Sequence, residues 1–154
     1  MQDQLLDTWA IANRINLYVL DAIPPEALGV VPDTKGRSAG QMFAHIHNIR
    51  LSWLEVAAPE LMDGLTKIEK SHYTAKDHLR HSLEASGQAI EGLLKKAIAA
   101  KGKVKGFKPH VVAFVGYLIA HDAYHRGEIG IVLKQVGHPL DNKVSYGMWE
   151  WGVR

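Results

Sequence analysis

The sequence predicts an all-α protein, specifically a four-helix bundle. Three observations predict it: four long segments with helical apolar periodicity, Pro- and Gly-rich breaks between them, and no pair of alternating strands joined by a hairpin dipeptide. With 154 residues, 47% of them hydrophobic, the chain can bury one substantial core and is too short for two ordinary domains. A single domain spanning residues 1–154 is therefore expected.

The first helix is expected over roughly Leu5 to Leu20. Leu5, Leu6, Trp9, Leu17 and Leu20 share one broad face, and Ile11, Ile15 and Val19 form a second stripe. Pro24 and Pro25 stop it. Ser38 with Gln41 reads as a capping box that opens a second helix to about Ala57, before Pro59. Its seam reads Met42, Ile46, Ile49, Trp53 and Val56. Thr74 with Asp77 is a weaker capping box for a third helix, which runs through Leu79, Leu83, Ile90, Leu93, Leu94 and Ile98 to the break at Lys101-Gly102-Lys103. The fourth begins near Pro109, a residue suited to the first helical position, and continues through Phe114, Leu118, His121, His125, Ile129 and Val132 to Gly137. Its valines suit strands, but the apolar pattern lasts far longer than a strand does. The first two connections are each roughly 16 residues, longer than bundle loops usually are, so crossover topologies are open as well as up-down order. The aromatic tail from Ser145 to Gly152 is expected to pack against a bundle end or a second subunit.

Composition excludes several classes of function. The formal charge is +2, from 18 basic and 16 acidic side chains, which does not indicate nucleic-acid or membrane-surface binding. The absence of cysteine rules out disulfides, thiolate metal sites and a cysteine nucleophile. Any metal must be held by nitrogen and oxygen. The residues from Met1 to Leu6 lack the basic start and apolar run of a signal peptide, and no stretch of about 18 uncharged apolar residues occurs, so a cytoplasmic protein is expected.

The histidines carry the chemistry. His121 and His125 are four residues apart, one turn on one helix face, where the apolar seam of the fourth helix would otherwise continue. Two imidazoles on one helix can share a metal ion and call for a third ligand. His45, between the seam residues Met42 and Ile49, supplies it best. His47 is the alternative, and it lies about 200° round the helix from His45, on a face shared with Arg50. His72, His78, His81, His110 and His138 read as surface or helix-end residues. Asp122 gives His121-Asp122-x-x-His125 the look of a shortened H-E-x-x-H motif, so it is a candidate general base. Because position 122 is turned about 100° from His121, a solvated acid or one that supports a ligand is the competing reading. Glu128 and Asn48 are candidates to hydrogen-bond the ligands His125 and His45.

His45, the run from His121 to Ile129, Trp53-Leu54 and the closing Tyr146-Gly147-Met148-Trp149 together resemble the DinB family, within the DinB/YfiT-like superfamily, over nearly the whole chain. The resemblance implies a four-helix bundle in which His45, His121 and His125 hold a divalent ion, with zinc or nickel expected. It also implies a homodimer, and in related branches a metal-dependent transferase acting with low-molecular-weight thiols. A hydrolase using the same open site, and a non-catalytic stress-linked bundle whose histidines are structural, remain open at this point. No nucleic-acid or membrane partner is expected.

Overall fold

The computed structural model describes residues 2–33 and 35–154. Four long helices dominate: α1 (Gln2–Ala22), α2 (Ala39–Ala57), α3 (Lys76–Ala99) and α4 (Val111–Gln135). A short helix, α5 (Asn142–Gly147), follows. The fold class read from the sequence is the one observed. Around the bundle, α3 packs on both α1 and α2, and α4 closes the ring against α2 and α1. The consecutive helices α1 and α2 thus face each other diagonally, which the long first connection permits. Among the described residues, no helix is long and apolar enough to cross a membrane.

The ends of the helices follow local chemistry, with two departures from expectation. Ser38 caps α2 as read: its hydroxyl accepts from Gln41 N at 3.2 Å, and Ser38 N donates to the Gln41 side chain at 2.8 Å. The Thr74 capping box does not form; α3 begins at Lys76 after Ala75, with no side-chain cap. Nor does Pro109 open α4. Pro109 lies in β2 (Phe107–His110), which pairs antiparallel with β1 (Lys103–Val104), and His110 caps α4 by accepting from Ala113 N at 3.2 Å. The turn is Lys105-Gly106, where Gly106 takes a φ of 83° that only glycine adopts without strain. Of the pair flanking it, Val104 belongs to the apolar core cluster at this end of the bundle and half-buried Phe107 packs against that cluster, so tertiary burial supplies what a two-residue strand lacks.

The core has two apolar clusters. One gathers Leu17, Leu20, Met42, Phe43, Ile46, Leu79, Leu83, Ile129 and Leu133. The other gathers Trp9, Leu54, Ile90, Leu94, Phe114 and Leu118. Each of the four long helices also buries polar side chains near the level where the two clusters meet: Asn16 on α1, His47 and Arg50 on α2, Ser82 and Ser86 on α3, Asp122 and His125 on α4. The bundle therefore has a polar waist.

Candidate metal centre

The waist is organised by one charged pair. Arg50 and Asp122 are each 1% exposed, and their side chains meet at 2.8 Å. Arg50 reaches every other long helix. It donates to Asn13 Oδ1 on α1 at 2.8 Å, to Leu83 O on α3 at 3.0 Å and to Asp122 Oδ2 on α4 at 2.8 Å, with its guanidinium 4.9 Å from the centre of the Trp9 ring. Asp122 Oδ2 also accepts from Asn16 Nδ2 at 2.8 Å. Burial opposes ionisation of Asp122, but Arg50 and the hydrogen bonds from His121, Arg50 and Asn16 outweigh it and hold the carboxyl below its ordinary range.

This pair changes the reading of two helix faces. Arg50 and His47 share a face about 200° round from His45 and outside the apolar seam read for this helix, yet both are 1% exposed. The buried stripe of α2 runs Phe43, His47, Arg50 and Leu54, while Val56, read as seam, is 45% exposed. An apolar-stripe reading assigns arginine outward, because it cannot see the acid on another helix that makes its burial tolerable. His47 is likewise committed to structure. Its Nδ1 lies 2.9 Å from Ser82 O and its Nε2 2.9 Å from Thr66 O, so neither nitrogen is left for a metal.

His45, His121 and His125 come together at the surface of the waist, between the adjacent helices α2 and α4. One ligand atom from each lies within 4.8 Å of the others. His45 Nε2 and His121 Nε2 are 3.4 Å apart. Two nitrogens bound to one tetrahedral ion at 2.0–2.1 Å are separated by about 3.3 Å, so this spacing fits a shared ion. The state of His45 also suits a ligand. Burial, followed by the neighbouring charges of His125, Arg37 and His121, lowers the His45 pKa to about 4, leaving a neutral ring with a free lone pair at neutral pH.

The outer nitrogens of the other two are oriented by acids. His125 Nδ1 is 2.7 Å from Glu128 Oε2, and His121 Nδ1 is 3.3 Å from Asp122 Oδ1. An acid accepting from Nδ1–H fixes the tautomer whose Nε2 lone pair points away, here toward the other histidines. Glu128 thus stands where it was expected. Asn48 does not: its amide pairs with the backbone of Ile68, donating at 3.1 Å and accepting at 2.9 Å, and so pins the connection between α2 and α3. Asp122, read as a candidate general base, is 1% exposed, and its Oδ1 lies 3.3 Å from His121 Nδ1, the position of the competing reading, an acid that supports a ligand. Arg50 and Asn16 went unnoticed in the sequence. An arginine and an aspartate each interrupting a buried helical stripe was the available signal.

A cleft of about 620 Å³ opens directly onto His45 and His125. Met42 and Val132 form apolar wall, and Tyr124 stands beside His125 with ring centres 5.1 Å apart. On the other side, Tyr117 stacks on His121 at 6.4 Å. The cleft therefore gives a small molecule access to His45 and His125, two of the three converging histidines.

Fold and site together define a class: a helical bundle whose second and fourth helices present a three-histidine group able to hold a metal ion, open to solvent on one side. The chain belongs to the DinB family, whose model matches residues 1–146. Comparison with curated proteins and with solved structures gave no match.

Proposed function

We propose that this protein is a divalent-metal-dependent enzyme of the hydrolase or thiol-transferase type, with zinc or nickel held by His45, His121 and His125. The observation that carries this reading is the convergence of three imidazole nitrogens within 4.8 Å of one another, two of them, on His45 and His125, lining an open cleft. A structural metal site is closed by four protein ligands, whereas three protein ligands leave a position for water or substrate. When bound, such an ion lowers the pKa of a coordinated water or thiol and so supplies a nucleophile at neutral pH.

The residues of the chain do the rest. Glu128 and Asp122 hold His125 and His121 in the metal-binding tautomer. Met42 and Val132 exclude water from one wall of the cleft, and Tyr124 offers a hydroxyl at its mouth. A homodimer belongs to the same reading: Tyr146 and Trp149 of the tail are 74% and 80% exposed, large aromatic surface for which a second copy is the proposed cover.

The test is to load the purified protein with zinc or with nickel and assay it in two ways, for conjugation of a small thiol to 1-chloro-2,4-dinitrobenzene and for hydrolysis of p-nitrophenyl acetate. Turnover in one assay, abolished by chelation and in His125→Ala, is expected. A fully loaded protein that turns over neither substrate and whose cobalt form shows no spectral response to azide would contradict the proposal.

A further inference from the structure

The cleft beside the three histidines is electrically lopsided. Its rim carries Lys35 and Arg37, from the segment that leads into α2, and the single acid lining it among the described residues is Glu128. That acid is already engaged, with its carboxylate 2.7 Å from His125 Nδ1. Lys35 and Arg37 are exposed, and neither forms an ion pair among the described residues. Three neutral imidazoles would leave a bound ion its full charge of +2. With Lys35 and Arg37 against the one carboxylate of Glu128, the cleft then carries net positive charge, and such a cleft concentrates anionic ligands.

The walls add shape to the charge. Met42, Ile131 and Val132 offer an apolar surface between the histidines and the basic rim. A ligand that reaches from floor to rim therefore meets a metal-binding position, an apolar stretch and two cations in turn.

We infer that the substrate of this site is a small organic acid: an apolar stem with its reacting group at the histidines and an anionic head, carboxylate or phosphoryl, held by Lys35 and Arg37. This rests on the metal-centre reading proposed above and names the substrate class for it. Arg37 can take such a head with two parallel hydrogen bonds and Lys35 with a point charge.

The probes are three thiols that share a six-carbon stem and differ in the far end: 6-mercaptohexanoate, 6-mercaptohexanol and 6-amino-1-hexanethiol. Each is titrated into the cobalt-loaded protein, and binding is read from the thiolate-to-cobalt charge-transfer band. Two partly solvated ion pairs in the acid complex, replaced by repulsion in the amine complex, give an expected preference of about tenfold or more for the acid, with the alcohol between. In Lys35→Gln/Arg37→Gln the preference shrinks to about threefold or less, and in Arg37→Glu the amine gains on the acid. Both residues are exposed, so these variants fold.

Equal affinity for the three thiols in the wild-type protein, or a preference that survives the double substitution, would overturn the inference while leaving the metal centre standing. A protein that takes up no cobalt, or whose cobalt spectrum ignores all three thiols, would overturn the metal-centre reading and this inference with it. To separate carboxylate from phosphoryl heads, the double substitution is tested against competition by hexanoate and by hexyl phosphate. The head that Lys35 and Arg37 select loses its advantage, and loss for neither counts against the inference.

Discussion

Replacing Asp122 by asparagine keeps the shape of the side chain and changes two things at once. First, it removes the negative charge opposite Arg50, which stays buried at 1% exposure with only Asn13, Leu83 O and Ser86 as neutral partners and a buried Nε that already lacks one. Breaking a buried pair by removing one partner costs about 3–5 kcal/mol, which at this chain length is a fall of roughly 6–20 °C in melting temperature. A domain near the middle of the usual range, about 10 kcal/mol, is still folded after this loss. Second, the substitution reverses the polarity facing His121. Asn16 and Arg50 both donate to Oδ2, so the amide oxygen of the new side chain takes that place and its NH2 turns toward His121 Nδ1. His121 must then accept at Nδ1 and carry its proton on Nε2, the nitrogen that faces His45. Metal affinity should fall by about 10–100-fold, the usual cost of losing a group that orients a ligand. Thermal melts followed by circular dichroism and zinc titration by isothermal calorimetry measure the two effects separately. A variant within about 1 kcal/mol of wild type that binds zinc with unchanged affinity refutes both steps of the reasoning.

Three further outcomes follow from the same geometry. Glu128→Gln, at a half-buried acid outside the core, should lower zinc affinity by about tenfold with little change in melting temperature, because only the orientation of His125 is lost; equal losses in both would point to a general packing defect. Acid should destabilise the metal-free protein in two stages. His45 has a folded pKa of about 4 against 6.5 unfolded, so the unfolded chain binds the extra proton and stability falls as pH drops from about 6.5 toward 4. The depressed Asp122 carboxyl adds a loss at still lower pH, as protonation undoes its pairing with Arg50. Melting temperatures between pH 7 and 3 record this, and His45→Gln should shrink the upper stage, to which His47 also contributes because burial lowers its pKa, and leave the lower one; a curve unchanged by that substitution would contradict it. Gly40→Ala should destabilise markedly, since a Cβ at the start of α2 would collide with the backbone carbonyl of Tyr73, which cannot yield as a flexible side chain would. Chemical denaturation showing no loss would disprove that close approach.

The legible parts of this chain were those governed by local or periodic signals. The Ser38–Gln41 box and the run from Phe114 to Ile129 announce α2 and α4 because capping and a six-turn stripe are properties of contiguous sequence. His45, His121 and His125 could be singled out because each interrupts an apolar stripe at a spacing that faces a neighbour, and the structure brings these three side chains together. The hairpin at Lys103 to His110 was hidden because its strands are too short to alternate and depend on burial of Val104 and Phe107 against the bundle. Pro109 misled for the same reason: a proline two residues before a helix looks like one at its first position.

The deepest miss was the waist. Arg50 and Asp122 are 72 positions apart in the chain, and neither has a local reason to be buried. Only their pairing across α2 and α4 explains both, and pairing across helices is a tertiary fact. The same blindness left the burial of Asp122 and His47 unread.

The most direct measurement is metal stoichiometry. Wild-type protein and the His45→Ala, His121→Ala and His125→Ala variants are saturated with zinc or with nickel, desalted, and analysed by inductively coupled plasma mass spectrometry, with circular dichroism to verify folding. The prediction is close to one ion per wild-type chain and little or none in each folded variant. A wild-type protein that retains no ion, or variants that retain it as well as wild type, would contradict the three-histidine centre.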